Sequence, residues 1–509
     1  MKRFHPPLHF LFAMISPGMK LPSIRHLFDP IDLTKGNITK NILLFSVPIV
    51  LSLIFQQLYV LTDAAIVGQN LSPAEVAGVN NSSSLVFMVL QFGFGCASGF
   101  SVVVAEAIGR KDDAGVRRSF FVQIVLSLLV SLFLTATAIA LLPILLGLMG
   151  IEANAADVYM NSVYVSAYTY LAIIFGGIAC QLFYNMIVAI LRSLGDSFVP
   201  FLFLLGSTAL NAALDLLFIL VFSMGVAGSA LATVVSQGLA AIGAFIYAWK
   251  RYPILHFQKE DAKAPWKEYA VHLRNGLPLG FQYSLLAIGM VIMQSSIIAF
   301  DILPEGGAMR ESMSAQLGYG AACKIINFLM VPLNALGTAM LSFIGQNDGA
   351  KDGKRIKDGV IKSTILLLVI CGVLLVLGML LTINGAYQYV FLSADKVSEE
   401  TIAFGNVYLY LSIPTLFFLG MLFLARNVLQ GLQKPFWPFM AGIGELFARI
   451  FVCVFVPSWI AGGPINSTSG PIPFIGAALG DTVSWLVAAL ILVPSMISAI
   501  LHYSKSKGE

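Results

Sequence analysis

The chain has 509 residues, of which 58% are hydrophobic and 11% charged, against about 25% charged in an ordinary soluble domain. Phenylalanine alone contributes 37 residues and the mean hydropathy is +0.86, more apolar surface than a soluble fold can hide, so soluble-enzyme, nucleic-acid-binding and disordered readings are excluded. The net charge of +4 is too small to indicate a polyanionic partner.

Runs long enough to cross about 30 Å of hydrocarbon predict twelve spans, at about 41–68, 77–106, 119–148, 157–191, 198–221, 226–249, 270–299, 313–345, 360–383, 401–429, 436–460 and 474–502. The fold class is therefore an all-α polytopic membrane protein. The stretch before span 1 mimics a signal peptide, with Lys2-Arg3 followed by apolar Leu8–Ile15. Its apolar core is short, prolines flank it and no small-residue cleavage site follows. Residues 1–40 are read as a cytoplasmic tail, with Met19 an alternative start. Cys96, Cys180, Cys323, Cys371 and Cys453 all fall inside apolar segments and read as small hydrophobes, not as disulfides or a metal site.

Lysine and arginine set the orientation. The N-terminal tail and the even-numbered junctions, together with the C-terminus, hold 25 of the 30. The opposite loops hold only Arg310 and Lys396. By the positive-inside rule both termini are cytoplasmic and the protein is a multi-pass protein of the inner (plasma) membrane.

The two halves repeat each other. Leu191-Arg-Ser-Leu-Gly-Asp-Ser-Phe-Val-Pro200-Phe201 matches Leu429-Gln-Gly-Leu-Gln-Lys-Pro-Phe-Trp-Pro438-Phe439. Gly109-Arg-Lys-Asp112 matches Gly349-Ala-Lys-Asp352, and Gly228-Ser-Ala-Leu231 matches Gly476-Ala-Ala-Leu479. The matching loops lie on one side, so the repeats are parallel, giving two pseudo-symmetric six-helix lobes. The division is an N-lobe at 41–250, a polar linker at 251–269, a C-lobe at 270–503 and a short tail at 504–509. Two facing lobes leave a central cleft suited to alternating access.

No Gly-x-x-x-x-Gly-Lys-Ser/Thr loop encodes an ATP motor. The six histidines lie in tails, in the linker or at helix ends, where they cannot build an intramembrane metalloenzyme. A transporter driven by an ion gradient remains, and no enzymatic activity or cofactor is expected.

An ionisable side chain at bilayer depth costs about 2.5–3.5 kcal/mol on insertion scales and marks function by default. Seven stand inside spans: Asp63, Asp215, Lys324, Arg426, Glu445, Arg449 and Asp481. Asp215 follows Asn211 by one turn, so the two share a face. Glu445 and Arg449 have the same i,i+4 spacing, which predicts an intrahelical ion pair; a second coupling carboxylate at Glu445 is the alternative. A carboxylate in an apolar cavity favours its neutral form, so it takes up a proton or small cation from one side and releases it when its surroundings change.

At this point the sequence resembles the multidrug and toxic compound extrusion (MATE) family over roughly residues 36–503. The cues are Leu61-Thr-Asp63-Ala-Ala-Ile-Val-Gly68, Leu191-Arg-Ser-Leu-Gly-Asp196, Asn211-x-x-x-Asp215 and Gly225-Val-Ala-Gly-Ser-Ala-Leu-Ala-Thr233. The second half adds Pro332-Leu-Asn-Ala-Leu-Gly337 and Gly345-Gln-Asn347. The resemblance implies a V-shaped pair of lobes that exports bulky, often cationic drugs or toxic compounds in exchange for H⁺ or Na⁺. It implies that Asp63, Asn211, Asp215 and Thr233 form the N-lobe proton or Na⁺ site. It implies that Gln56, Tyr170 and Asn185 line the same cavity. In the NorM branch a span-7 Glu and a span-10 Asp form a C-lobe cation site. Here span 7 carries Gln282, placed in the substrate cavity, and span 10 carries apolar residues such as Leu419. The sequence therefore leans to the DinF-like or related branches.

The leading expectation is a monomeric drug/ion antiporter in the lipid bilayer, with no nucleic-acid partner. A lipid-linked oligosaccharide flippase of the related superfamily is the second reading, distinguished by a basic central cavity. A membrane enzyme is the third, weakened by the missing catalytic cluster.

Overall fold

The computed structural model describes residues 29–149, 151–153, 157–304, 309–393 and 396–507. The signal-like stretch Leu8–Ile15 and the alternative start Met19 lie outside them. Among the described residues, twelve helices are long and apolar enough to cross a bilayer. Spans 1 to 6 begin with Ile38–Asn70, Pro73–Gly109, Asp113–Leu148, Val158–Gly176, Phe198–Leu216 and Gly225–Arg251. Spans 7 to 12 begin with Trp266–Ile298, Ser314–Leu329, Gly353–Leu381, Glu399–Gly431, Phe436–Ala461 and Pro471–Lys507.

Two spans are broken. Span 4 resumes after Gly177 as Ile178–Ser193. Span 8 resumes as Val331–Gly349, with Pro332 in its first turn, where the missing N–H is least costly. Pro48 sits inside span 1, and Ser52 Oγ donates to its carbonyl at 2.8 Å. Span 5 ends in a wider π-turn over Leu217–Val221, just past Asp215. Long runs of span 3 and span 9, including Leu128, Leu132, Phe133, Leu368, Val376 and Leu380, are exposed. Such faces are stable only against lipid.

Span 1 packs on span 5, span 5 on span 6, and span 6 on the second half of span 4. In the other half span 12 lies along spans 10 and 11, span 11 touches span 7, and both parts of span 8 pack on span 10. Between the halves, span 2 runs along span 7, and the second part of span 8 packs on spans 1 and 2.

These crossings converge on one end of the bundle, here termed the base, where span 1 begins. A Cβ on Gly109 would collide with the Gln346 carbonyl, and one on Gly349 with the Glu106 carbonyl. The repeated Gly-x-Lys-Asp motifs thus meet reciprocally, each supplying the hole the other needs. Their turns match in backbone: Lys111 and Lys351 both have φ of 57°. Asp112 and Asp352 then cap the next helices, accepting from Gly115 N at 2.8 Å and Arg355 N at 2.9 Å. Gln433 donates to Glu106 across the halves. The turn between spans 4 and 5 buries Asp196, which accepts from the Val199 N–H and the Tyr252 hydroxyl. Burial pushes its carboxyl above the usual range, and these bonds oppose the shift.

One expectation fails at the base. Residues 29–37, assigned to a tail, are folded against both halves, and Leu33 is fully buried. The stretch is polar and ambiguous in sequence, but its carbonyls find partners far along the chain.

Candidate functional site

Span 1 brings Tyr59 and Asp63 to one face, four residues apart. Span 5 adds Asn211 and Asp215 at the same spacing, span 6 adds Thr233 and span 4 adds Tyr170. Five of these come together directly. With its amide oriented to satisfy its neighbours, Asn211 donates to Asp215 Oδ2 at 3.1 Å and accepts from the Thr233 N–H at 3.3 Å. Thr233 Oγ1 lies 3.2 Å from the Tyr59 hydroxyl. The Asp63 and Asp215 carboxyls lie close enough for each to feel the other's charge, and the Tyr59 and Tyr170 hydroxyls lie within the field of both.

Asp215 is fully buried and Asn211 nearly so. Asp63 Oδ1 and Asp215 Oδ1 are buried without a hydrogen-bond donor. Among the described residues, neither acid forms an ion pair. Two charged carboxylates this close repel each other, and a proton on either relieves the repulsion, so the pair is a place to hold one. The same oxygens, with those of Asn211 and Thr233, form a hard donor set of the kind that suits an alkali cation. All four expected coupling residues are therefore gathered. Tyr59 was not expected; its i,i+4 relation to Asp63 was the available signal.

The cavity residues separate. Tyr170 is buried beside the acids. Gln56 is exposed, one turn before Tyr59. Asn185 is half-buried and bonds back to the Gln181 carbonyl at 3.0 Å. Gln282, expected in the substrate cavity, is instead fully enclosed. It packs where Gly442 of span 11 leaves room, and both its amide atoms lack partners.

The C-lobe charges differ most from expectation. Glu445 and Arg449 do not form the intrahelical ion pair predicted by their spacing. Arg426 of span 10 reaches Glu445 at 3.2 Å, and Arg449 reaches Asp481 of span 12 at 2.8 Å. The Tyr408 hydroxyl donates to the other Asp481 oxygen at 2.7 Å. All four charged groups are buried. Partners on facing helices replace the intrahelical one because spans 10, 11 and 12 pack closely enough to bring them in. Asp481, which sequence position left near a helix start, is thus fixed within the core. Lys324 lies 5.0 Å from the centroid of the Phe391 ring.

Sequence comparison bears on this geometry. The MatE family profile matches residues 48–217 and 287–455. The probable multidrug resistance protein YpnP of Bacillus subtilis is 30% identical over 64% of this chain and 68% of its own length. The probable multidrug resistance protein YoeA of the same organism is 25% identical over 84% of this chain and 88% of its own. A solved structure described as the outward-facing conformation of a multidrug resistance MATE family transporter of the MOP superfamily superposes with a TM-score of 0.79. It is 20% identical and covers 94% of this chain and 99% of that one; at this identity it supports the fold alone.

Proposed function

The chain belongs to the MatE family, and from that premise we propose that it is a multidrug efflux transporter working as an antiporter, exporting bulky organic cations in exchange for a coupling ion. The observation that carries the reading is the gathering of half-buried Asp63 and fully buried Asp215 with Asn211 and Thr233 in the N-lobe, with no basic side chain paired to either acid among the described residues. The acids and an organic cation attract each other when the pair is charged. A proton taken up by the pair lowers its charge from −2 to −1, weakens that attraction and favours release of the cargo. We read the coupling ion as H⁺, since a proton on either acid relieves the repulsion between the two.

The orientation follows from charge. The base carries most of the lysines and arginines and faces the cytoplasm. The hydrogen bonds described between the lobes also lie at the base, so this conformation is closed to the cytoplasm. Ion and cargo exchange then requires the lobes to part at the base in the other half of the cycle. The flippase reading is less well supported. Arg426 and Arg449 are each neutralised by a carboxylate, so neither is free to bind a pyrophosphate.

The test is efflux of a fluorescent organic cation from proteoliposomes under an imposed H⁺ gradient and, separately, a Na⁺ gradient. The reading expects efflux driven by the H⁺ gradient. Efflux indifferent to both gradients would overturn it.

A further inference from the structure

The folded strap at the base connects parts of the molecule that alternating access must separate. Its own shape is preset by a local turn. Asp32 Oδ1 accepts from the Thr34 N–H at 3.0 Å, and Asn41 Nδ2 donates to the Lys35 carbonyl at 2.7 Å. Gly36 closes the turn at φ 72°, a region that favours glycine. Asn37 then caps span 1, accepting from Lys40 N at 3.0 Å. The strap is thus anchored to the N-lobe by continuity with span 1, and the Ile31 N–H also donates to the Gly195 carbonyl at 3.0 Å.

Its remaining polar atoms face the C-lobe. The Leu33 N–H donates to Gln346 Oε1 at 3.1 Å. Asn347 Nδ2 donates to the Leu33 carbonyl at 3.2 Å. Arg355 grips three carbonyls of the strap: Nε to Leu33 at 3.1 Å, Nη2 to Lys35 at 2.7 Å and Nη1 to Gly36 at 2.9 Å. Gln346 Nε2 donates onward to the Ser193 carbonyl of span 4 at 2.8 Å, so one side chain ties strap, span 4 and span 8. The Leu33 side chain joins an apolar cluster made mostly of C-lobe residues, among them Phe343, Ile344 and Ile356. The receptor has no equivalent in the other half. At the offset of the Gly109 and Gly349 motifs, Gln346, Asn347 and Arg355 correspond to Glu106, Ala107 and Gly115. The device is therefore one-sided, added to the symmetric glycine crossing.

We propose that residues Ile31–Gly36 form a latch that holds the lobes together at the base and must release from Gln346, Asn347 and Arg355 each time the base opens. Five hydrogen bonds across the lobes, three of them charge-assisted, bias the protein toward the base-closed state. Releasing the latch shifts the population to base-open forms without touching the acid pair. The inference rests on the alternating-access reading only for its link to transport; the latch itself is a conformational claim.

The test uses the full chain in lipid nanodiscs, its five native cysteines replaced, with spin labels at Asp113→Cys and Lys354→Cys. These are exposed positions on the base ends of spans 3 and 9. Arg355→Gln and, separately, Gln346→Ala should each raise the long-distance population about tenfold. A further variant tests the same claim by locking it. Leu33→Cys with Asn347→Cys, oxidised to a disulfide, should abolish the long-distance population and stop efflux, both restored by reductant. Unchanged distances in Arg355→Gln and Gln346→Ala would overturn the latch, as would a cross-linked protein that pumps at the reduced rate or faster. Wild-type protein that fails to couple efflux to either ion gradient counts against the antiporter reading, and the distance measurement judges the latch in that case too.

Discussion

The N-lobe acid pair and the C-lobe charge network occupy related halves of one repeat and follow opposite electrostatic rules. In the N-lobe two carboxyls lie beside amide, hydroxyl and phenol groups, and among the described residues neither has an ion-pair partner. In the C-lobe Glu445 and Asp481 each meet an arginine from a facing helix. The first arrangement leaves charge to be supplied by an ion or a cargo. The second is balanced, charge for charge. A duplicated scaffold thus leaves the two acids of one lobe without an ion-pair partner and pairs those of the other, and the proposed coupling belongs to the first.

The comparison breaks hardest at Asp215. Asp215→Asn, and equally Asp63→Asn, should abolish gradient-driven efflux while the protein still inserts and stays folded, since asparagine keeps the shape but cannot cycle a proton. Efflux assays beside size-exclusion profiles check both halves of that outcome.

The C-lobe should respond in stability instead. Glu445→Gln strands Arg426 in a buried site, at a cost of about 3–5 kcal/mol. Expression and thermal unfolding should both fall. Adding Arg426→Gln removes the stranded charge and should recover most of the loss along with efflux. A stable double variant without efflux would mean that the C-lobe also couples, and the contrast between lobes would collapse.

Smaller effects sharpen the picture. Tyr59→Phe deletes the hydroxyl 3.2 Å from Thr233 and should slow efflux by no more than about fivefold, with gradient dependence intact. Gln282→Met should change efflux least. It replaces an enclosed amide whose atoms lack partners and should hold or raise the unfolding temperature. A strong loss of efflux there would return Gln282 to the substrate path.

Much of this contrast was legible in the sequence, for reasons that differ by residue. The twelve spans announce themselves by length and hydropathy, and the Gly109 and Gly349 motifs reveal the repeat because the reciprocal crossing requires glycine on both sides. Asp63 and Asp215 stood out because charged groups are rare at bilayer depth, Asn211 by its one-turn spacing to Asp215, and Thr233 only through the family resemblance. The partners of Glu445 and Arg449 were not legible. A spacing of four residues fixes only a shared helix face, whereas Arg426 and Asp481 arrive from other helices by tertiary packing. The strap was missed for the same reason. Within 29–37 the lone apolar side chains Ile31 and Leu33 are too few to signal burial, and the C-lobe groups that hold the stretch sit more than three hundred residues away.

The central claim is that the unsatisfied acid pair couples transport to a gradient. Its most direct measurement is cation efflux from proteoliposomes holding wild-type or Asp215→Asn protein, with an H⁺ gradient imposed and then collapsed. The account predicts efflux that follows the gradient in the wild type and gradient-independent background in the variant. H⁺-driven efflux at the wild-type rate in Asp215→Asn would contradict it.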